Sequence, residues 1–267
     1  MARDREARPA ASVREFAPAV LSNLLPLGGV VALDWEVLHV LATYWIELAA
    51  MLVVYAGAAL FAERRIALDG RNLYLPGVGR GTKLGPKWDD DPRPTHLPGP
   101  LPPIYRRNGF VVFMALVFGV FWVGVPVFAD FPYVDVASAV SPTVLAAAVG
   151  ITVSQLVEVR REFFGKRRYE EMSVHMVLEI PLRVITFAGV LLLVLHVVGI
   201  LLLVAIGGLF GPSAFETVLT GEVVAFCYAL VVVLAMLAVE WSRFRATREP
   251  NPGGLADWFT PEDPRSG

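Results

Sequence analysis

The sequence predicts an all-α fold: a polytopic membrane helical bundle of six transmembrane helices with N- and C-termini cytoplasmic. Three observations carry that expectation. Of 267 residues, 55% are hydrophobic and 18% charged, and the mean hydropathy is +0.58, too apolar for a soluble domain. The apolar residues fall in six blocks, about 16–33, 37–62, 110–129, 136–157, 184–207 and 223–241. Each is close to the ~20 residues that cross a hydrocarbon core of about 30 Å. Finally, with the N-terminus inside, the outer turns 34–36, 130–135 and 208–222 hold no Lys or Arg, and all 23 basic residues fall at or behind the inner face. That is the positive-inside pattern.

In chain order, residues 1–15 form a cytoplasmic N-tail carrying Arg3, Arg5, Arg8 and Arg14. The block 16–33 reads as an uncleaved first helix. A signal peptide is the alternative, because Val30-Val31-Ala32 is a passable cleavage context, but Asn23 and Pro26 are unusual in a signal core. Only Asp34-Trp35-Glu36 separate it from the second block, which makes a tight hairpin. Residues 66–107 read as a cytoplasmic linker with eight prolines between Pro76 and Pro103 and no apolar periodicity. Its Gly77-Val78-Gly79-Arg80-Gly81-Thr82-Lys83 lacks the Walker spacing, and Asp89-Asp90-Asp91 reads as a solvated acidic run. The membrane domain spans 16–245, and residues 246–267 read as a flexible cytoplasmic tail in which Trp258-Phe259 are placed to touch the membrane surface.

Chemistry centres on Thr43-Tyr44-Trp45-Ile46-Glu47. Glu47 is the one acid in its apolar run, and an intramembrane carboxylate is costly and usually tied to function. On helix-rise counting, Glu47 and His196 both lie roughly 15–17 Å from the outer surface. They meet if their helices are neighbours, and would then share a proton or hold a cation, with Tyr44 and Asn23 as further ion- or proton-binding candidates. The plainer reading has Glu47 protonated and bonded to a backbone carbonyl or to Asn23, with His196 a neutral packed imidazole.

A second cluster, His175, Glu179 and Arg183, recurs every four residues on one helical face at the inner boundary, with Gln155 and Glu158 placed to join it. It reads either as a gate or substrate contact, or as a juxtamembrane turn with Arg183 reaching out to headgroups and Pro181 setting a bend. The basic aromatic stretch containing Arg160, Arg161, Lys166, Arg167 and Arg168 marks anionic lipid headgroups as partners, although topology alone explains it. The six acids of the outer turns (Asp34, Glu36, Asp130, Asp135, Glu216 and Glu222) either favour cations at an outer mouth or form a solvated surface.

No cofactor, metal site or nucleic-acid partner is expected. The single Cys227 excludes a disulfide framework, and His39 and His196 differ in depth by roughly 12 Å, too much for a bis-histidine haem. No catalytic signature is present either, which leans against an enzyme without excluding one.

Asn23-x-x-Pro26-Leu27, Tyr44-Trp45-x-Glu47 and Pro181-x-Arg183 leading to His196 together resemble an uncharacterised family of prokaryotic, haloarchaeal-type multipass membrane proteins, a domain of unknown function (DUF6498-like). The resemblance covers most of the membrane region but neither the linker nor the tail. It implies that the Tyr-Trp-Glu segment is a family feature and brings no activity with it. Two classes of function follow. One is small-solute or ion transport, proton-linked through Glu47 and His196, in the cell membrane. The other is a non-transporting scaffold or partner-binding subunit in which Glu47 is structural.

Overall fold

The computed structural model describes residues 13–71, 75, 93–129, 141–211, 213, 222–249 and 251–263. The Gly77–Lys83 run, Asp89–Asp91, and the turn acids Asp130, Asp135 and Glu216 lie outside them. Among the described residues are long helices α1 (Val13–Ala32), α2 (Val37–Ala59), α3 (Asn108–Ala129), α4 (Pro142–Val159), α5 (Val174–Phe210) and α6 (Glu222–Arg248). Among the described residues, four stretches are long and apolar enough to cross a membrane: Leu38–Ala59, Pro142–Phe164, Val174–Phe210 and Phe226–Arg248. Asn23–Ala32 and Asn108–Trp122 are shorter apolar helical stretches.

The chain divides into two compact units. The first comprises Met1–Tyr44, Val134–Val144 and Thr186–Thr260. In it, α1 packs on α6 through Phe16, whose ring lies 4.9 Å from that of Trp241 and 5.4 Å from that of Phe244. The turn into α2 is fixed by size: a Cβ on Gly29 would stand 2.4 Å from the Trp35 ring, so the indole can close over this point only if the residue beneath it is glycine. The Trp35 Nε1–H then donates to Thr143 Oγ1 at 3.0 Å. His39 Nδ1 accepts the Glu36 main-chain N–H at 3.1 Å, one half of a capping box at the start of α2.

The second unit comprises Trp45–Tyr133, Leu145–Ile185 and Pro261–Gly267. Its hub is the end of α2. The last carbonyls of a helix need outside partners, and the Asn108 side-chain amide, at the start of α3, supplies them to Ala59, Leu60 and Ala62 at 3.1, 3.3 and 2.8 Å. The Tyr105 N–H donates to Leu60 O, and the Glu63 N–H to Tyr169 O. Burial, then the nearby Glu63 carboxylate, pushes the Tyr105 phenol above its ordinary pKa, which keeps it neutral. Arg64 bridges Ser173 in parallel, which lays the chain after α2 against the start of α5. A two-residue hairpin, Pro94–Thr95 with Ile104–Tyr105, closes part of the linker.

The α5 helix is longer than the apolar block 184–207 suggests. Ser173 caps it, its hydroxyl accepting the Met176 N–H at 3.4 Å, and Pro181 is held inside without ending the helix. At about 1.5 Å per residue, its 37 residues reach about 55 Å, well beyond a bilayer core. Likewise α4 begins at Pro142, with Ser141 Oγ accepting the Val144 N–H at 3.3 Å. A capping serine followed by proline at the first helical position is a strong start signal.

Candidate functional site

Among the described residues, the strongest concentration of buried charge lies on the first turns of α5, within the second unit. Every residue from Val174 to Ile185 is buried or half-buried, including His175 (0% exposed), Glu179 (1%) and Arg183 (7%). A polar side chain this deep must be bonded, and a charged one must be paired. Glu179 satisfies that requirement through donors from three separate parts of the chain. Its Oε1 accepts from the Arg71 guanidinium and from His175 Nδ1 at 3.0 Å. Its Oε2 accepts from Arg183 Nη2 at 3.3 Å and from the Glu262 main-chain N–H at 2.8 Å.

His175 is fixed from both sides. Its Nε2 accepts the Leu75 N–H at 3.4 Å, so the ring proton that faces Glu179 belongs on Nδ1. At the edge of the cluster, Arg64 pairs with Asp263 at 2.7 Å and also donates to Glu171 O at 3.0 Å. The Glu262 carboxylate lies within electrostatic reach of Arg183. The guanidiniums of Arg64, Arg71 and Arg183 thus lie among the carboxylates of Glu179, Glu262 and Asp263.

The i,i+4 spacing of His175, Glu179 and Arg183 therefore brings the three together as the helical face suggests. Arg183 turns inward to Glu179 and does not reach for headgroups, because the carboxylate one turn earlier offers a desolvated partner. Gln155 is buried, with Oε1 lacking a hydrogen-bond partner among the described residues, and Glu158 is half-buried.

Tyr44 donates its hydroxyl to the main-chain carbonyl of Asn23 at 3.2 Å, and both residues are buried. Glu47 is half-buried on α2, and His196 lies on α5 with its side chain outside the described residues. The basic stretch after α4 opens with a π-helical turn, Arg160–Phe164, and its charges face outward: Arg161 pairs with Glu162, Lys166 with the same Glu162, and Arg167 with Glu170. Phe163, Phe164 and Tyr169 contact one another beneath.

Two contributors had no visible sequence signal. Arg71 is one of many arginines around a Pro/Gly-rich linker, and Glu262 contributes a main-chain N–H that no side chain announces. A fully wired carboxylate of this kind can hold three chain segments in register, or receive a segment brought to it. Residues 5–249 match the family described as a family of unknown function (DUF6498), a stretch that contains Arg64, Arg71, His175, Glu179 and Arg183 but not Glu262 or Asp263. No curated protein and no solved structure matches the chain. Because the match covers most of its length, the chain belongs to this family of unknown function, DUF6498.

Proposed function

We propose that the protein is a six-span protein of the cell membrane, both ends cytoplasmic, that works as a partner-binding subunit through the charge cluster at the foot of α5. The carrying observation is Glu179, a buried carboxylate whose donors come from the chain after α2, from α5 itself and from the tail. Long apolar helices support the membrane setting. The absence of Lys and Arg from turns 34–36, 130–135 and 208–222 supports the orientation, which puts the cluster and the tail on one side, at the cytoplasmic face with its anionic headgroups.

A second reading has one observation in its favour: Glu47 is the only charged residue of α2, a helix long enough to cross a membrane. In that reading Glu47 titrates with His196 while an ion or small solute passes, with Tyr44 and Asn23 alongside. Proton and alkali-cation flux into proteoliposomes separates the two. The docking reading expects wild-type vesicles to match empty ones. Flux that is present in wild type and lost in a folded Glu47→Gln variant would replace docking with transport.

A further inference from the structure

We infer that the cluster around Glu179 is a receptor for a short acidic peptide strand, and that the chain's own tail occupies it in cis. The inference rests on the partner-binding reading and names the partner's chemistry. Two features of the tail define that chemistry. A main-chain N–H, that of Glu262, reaches Glu179 Oε2 at 2.8 Å, and the next side chain, Asp263, reaches Arg64 at 2.7 Å. One residue thus supplies an amide donor to the buried carboxylate and its neighbour supplies a carboxylate to a guanidinium, a pairing a peptide offers and a simple anion does not.

Charge points the same way: Asp263 pairs with Arg64, and the Glu262 carboxylate lies within electrostatic reach of Arg183. The contact joins residues 83 positions apart in sequence, Glu179 and Glu262, so it is not a by-product of local chain geometry. Arg64 keeps a third of its side-chain surface open even with Asp263 in place, so an incoming strand has somewhere to start displacing the tail. The receptor residues also lie inside the stretch that matches the family, and the tail residues outside it.

A tethered strand competes at an effective concentration in the millimolar range, so a free peptide at micromolar concentration is excluded until the tail is removed. The test compares the full chain with a chain ending at Thr260, both in detergent, using a fluorescein-labelled peptide of residues 260–267 and fluorescence anisotropy. The shortened chain should bind the peptide with micromolar affinity, and the full chain at least about tenfold more weakly. A peptide carrying Asp263→Asn should lose roughly threefold to fivefold, the range for an ion pair whose arginine stays one-third exposed. A shortened chain of unchanged helix content that ignores the peptide overturns the inference. So does equal binding by both chains, or equal binding of the Asn peptide. Should the shortened chain fail to fold, Asp263→Asn in the full chain loosens the latch in place, and must then admit the wild-type peptide better than the parent does or the inference fails. Peptide failure in a protein that passes no ions removes only the acidic strand, whereas flux lost in Glu47→Gln removes the reading beneath it.

Discussion

Two stretches of α5 treat the same helical backbone in opposite ways. From Val174 to Ile185 the helix carries His175, Glu179 and Arg183 and is buried almost all round. From Val190 to Phe210 it is apolar apart from His196, and Leu193, Ile200, Leu201, Leu202, Val204 and Leu209 each expose more than half of their surface. Polar groups inside and leucines outside invert the order of a water-soluble domain. The inversion makes sense where hydrocarbon is the solvent for the apolar stretch, since lipid covers leucine as well as protein does. Burial within the protein is then spent on the residues that lipid cannot satisfy. The contrast teaches that, along this one helix, the turns that carry charge are packed inside the protein while the wholly apolar turns are left exposed.

The largest test of that contrast is Glu179→Ala. Removing the carboxylate leaves Arg71 and Arg183 buried without it, and breaking a buried pair in this way costs about 3–5 kcal/mol. Thermal unfolding in detergent should show it, and a change within experimental error would mean that the cluster is not structural at all. Next comes a matched pair on the same helix. Leu178, fully buried beside Glu179, should lose about 2–5 kcal/mol on change to Ala, while Leu201, 63% exposed, should stay within about 0.5 kcal/mol. Equal losses would show that the apolar stretch packs against protein in the purified molecule.

A smaller effect is expected at Asn108, which when cut back withdraws its amide from the Ala62 carbonyl, while Ala59 and Leu60 O keep the N–H groups of Ala62 and Tyr105. Asn108→Ala should cost about 1–3 kcal/mol, the usual penalty for buried polar groups left without a partner. Faster hydrogen exchange at residues 59–63 would locate the loss, and unchanged exchange there would place the role of Asn108 elsewhere.

Much of the helical layout is legible in the sequence because long apolar runs leave little else to form. The runs at 37–62, 110–129 and 223–241 fall on α2, α3 and α6, with ends within three residues except that α6 continues seven residues further, to Arg248. Hydropathy places the start of α5 ten residues late because it sees His175, Glu179 and Arg183 as a break, whereas a helix sees one face. Ser173 ahead of a periodic stretch was the available signal, as Ser141-Pro142 was for α4. The inner trio was legible from its spacing of four, and so was its Glu-before-Arg order. Arg71 is not, because nothing local distinguishes one linker arginine from another; the backbone contacts of Glu63 and Arg64 with residues 169–173 bring the segment near. Glu262 was still less visible, since an N–H donor exists at almost every position of any chain. Sequence patterns report what an element needs from its surroundings, and the tail meets a need that belongs to α5.

The smallest expected effect is at the rim of the cluster, and it separates its buried part from its exposed one. Asp263 pairs with Arg64, whose side chain is about one-third exposed, whereas Glu179 and Arg71 are shut away from water. Exposed or half-exposed pairs contribute about 0–1 kcal/mol and weaken as salt rises, because the Debye length falls from about 10 Å at 0.1 M to about 3 Å at 1 M. Asp263→Asn should therefore lower stability by no more than about 1 kcal/mol in low salt, with the difference from wild type shrinking toward zero in 1 M NaCl. Glu179→Ala should keep most of its penalty at both salt concentrations, because ions do not reach a pair buried at 1% exposure. If the two variants respond to salt alike, the tail and the helix foot form one uniformly buried block, and the rim of the cluster is not where an exchange of strands begins.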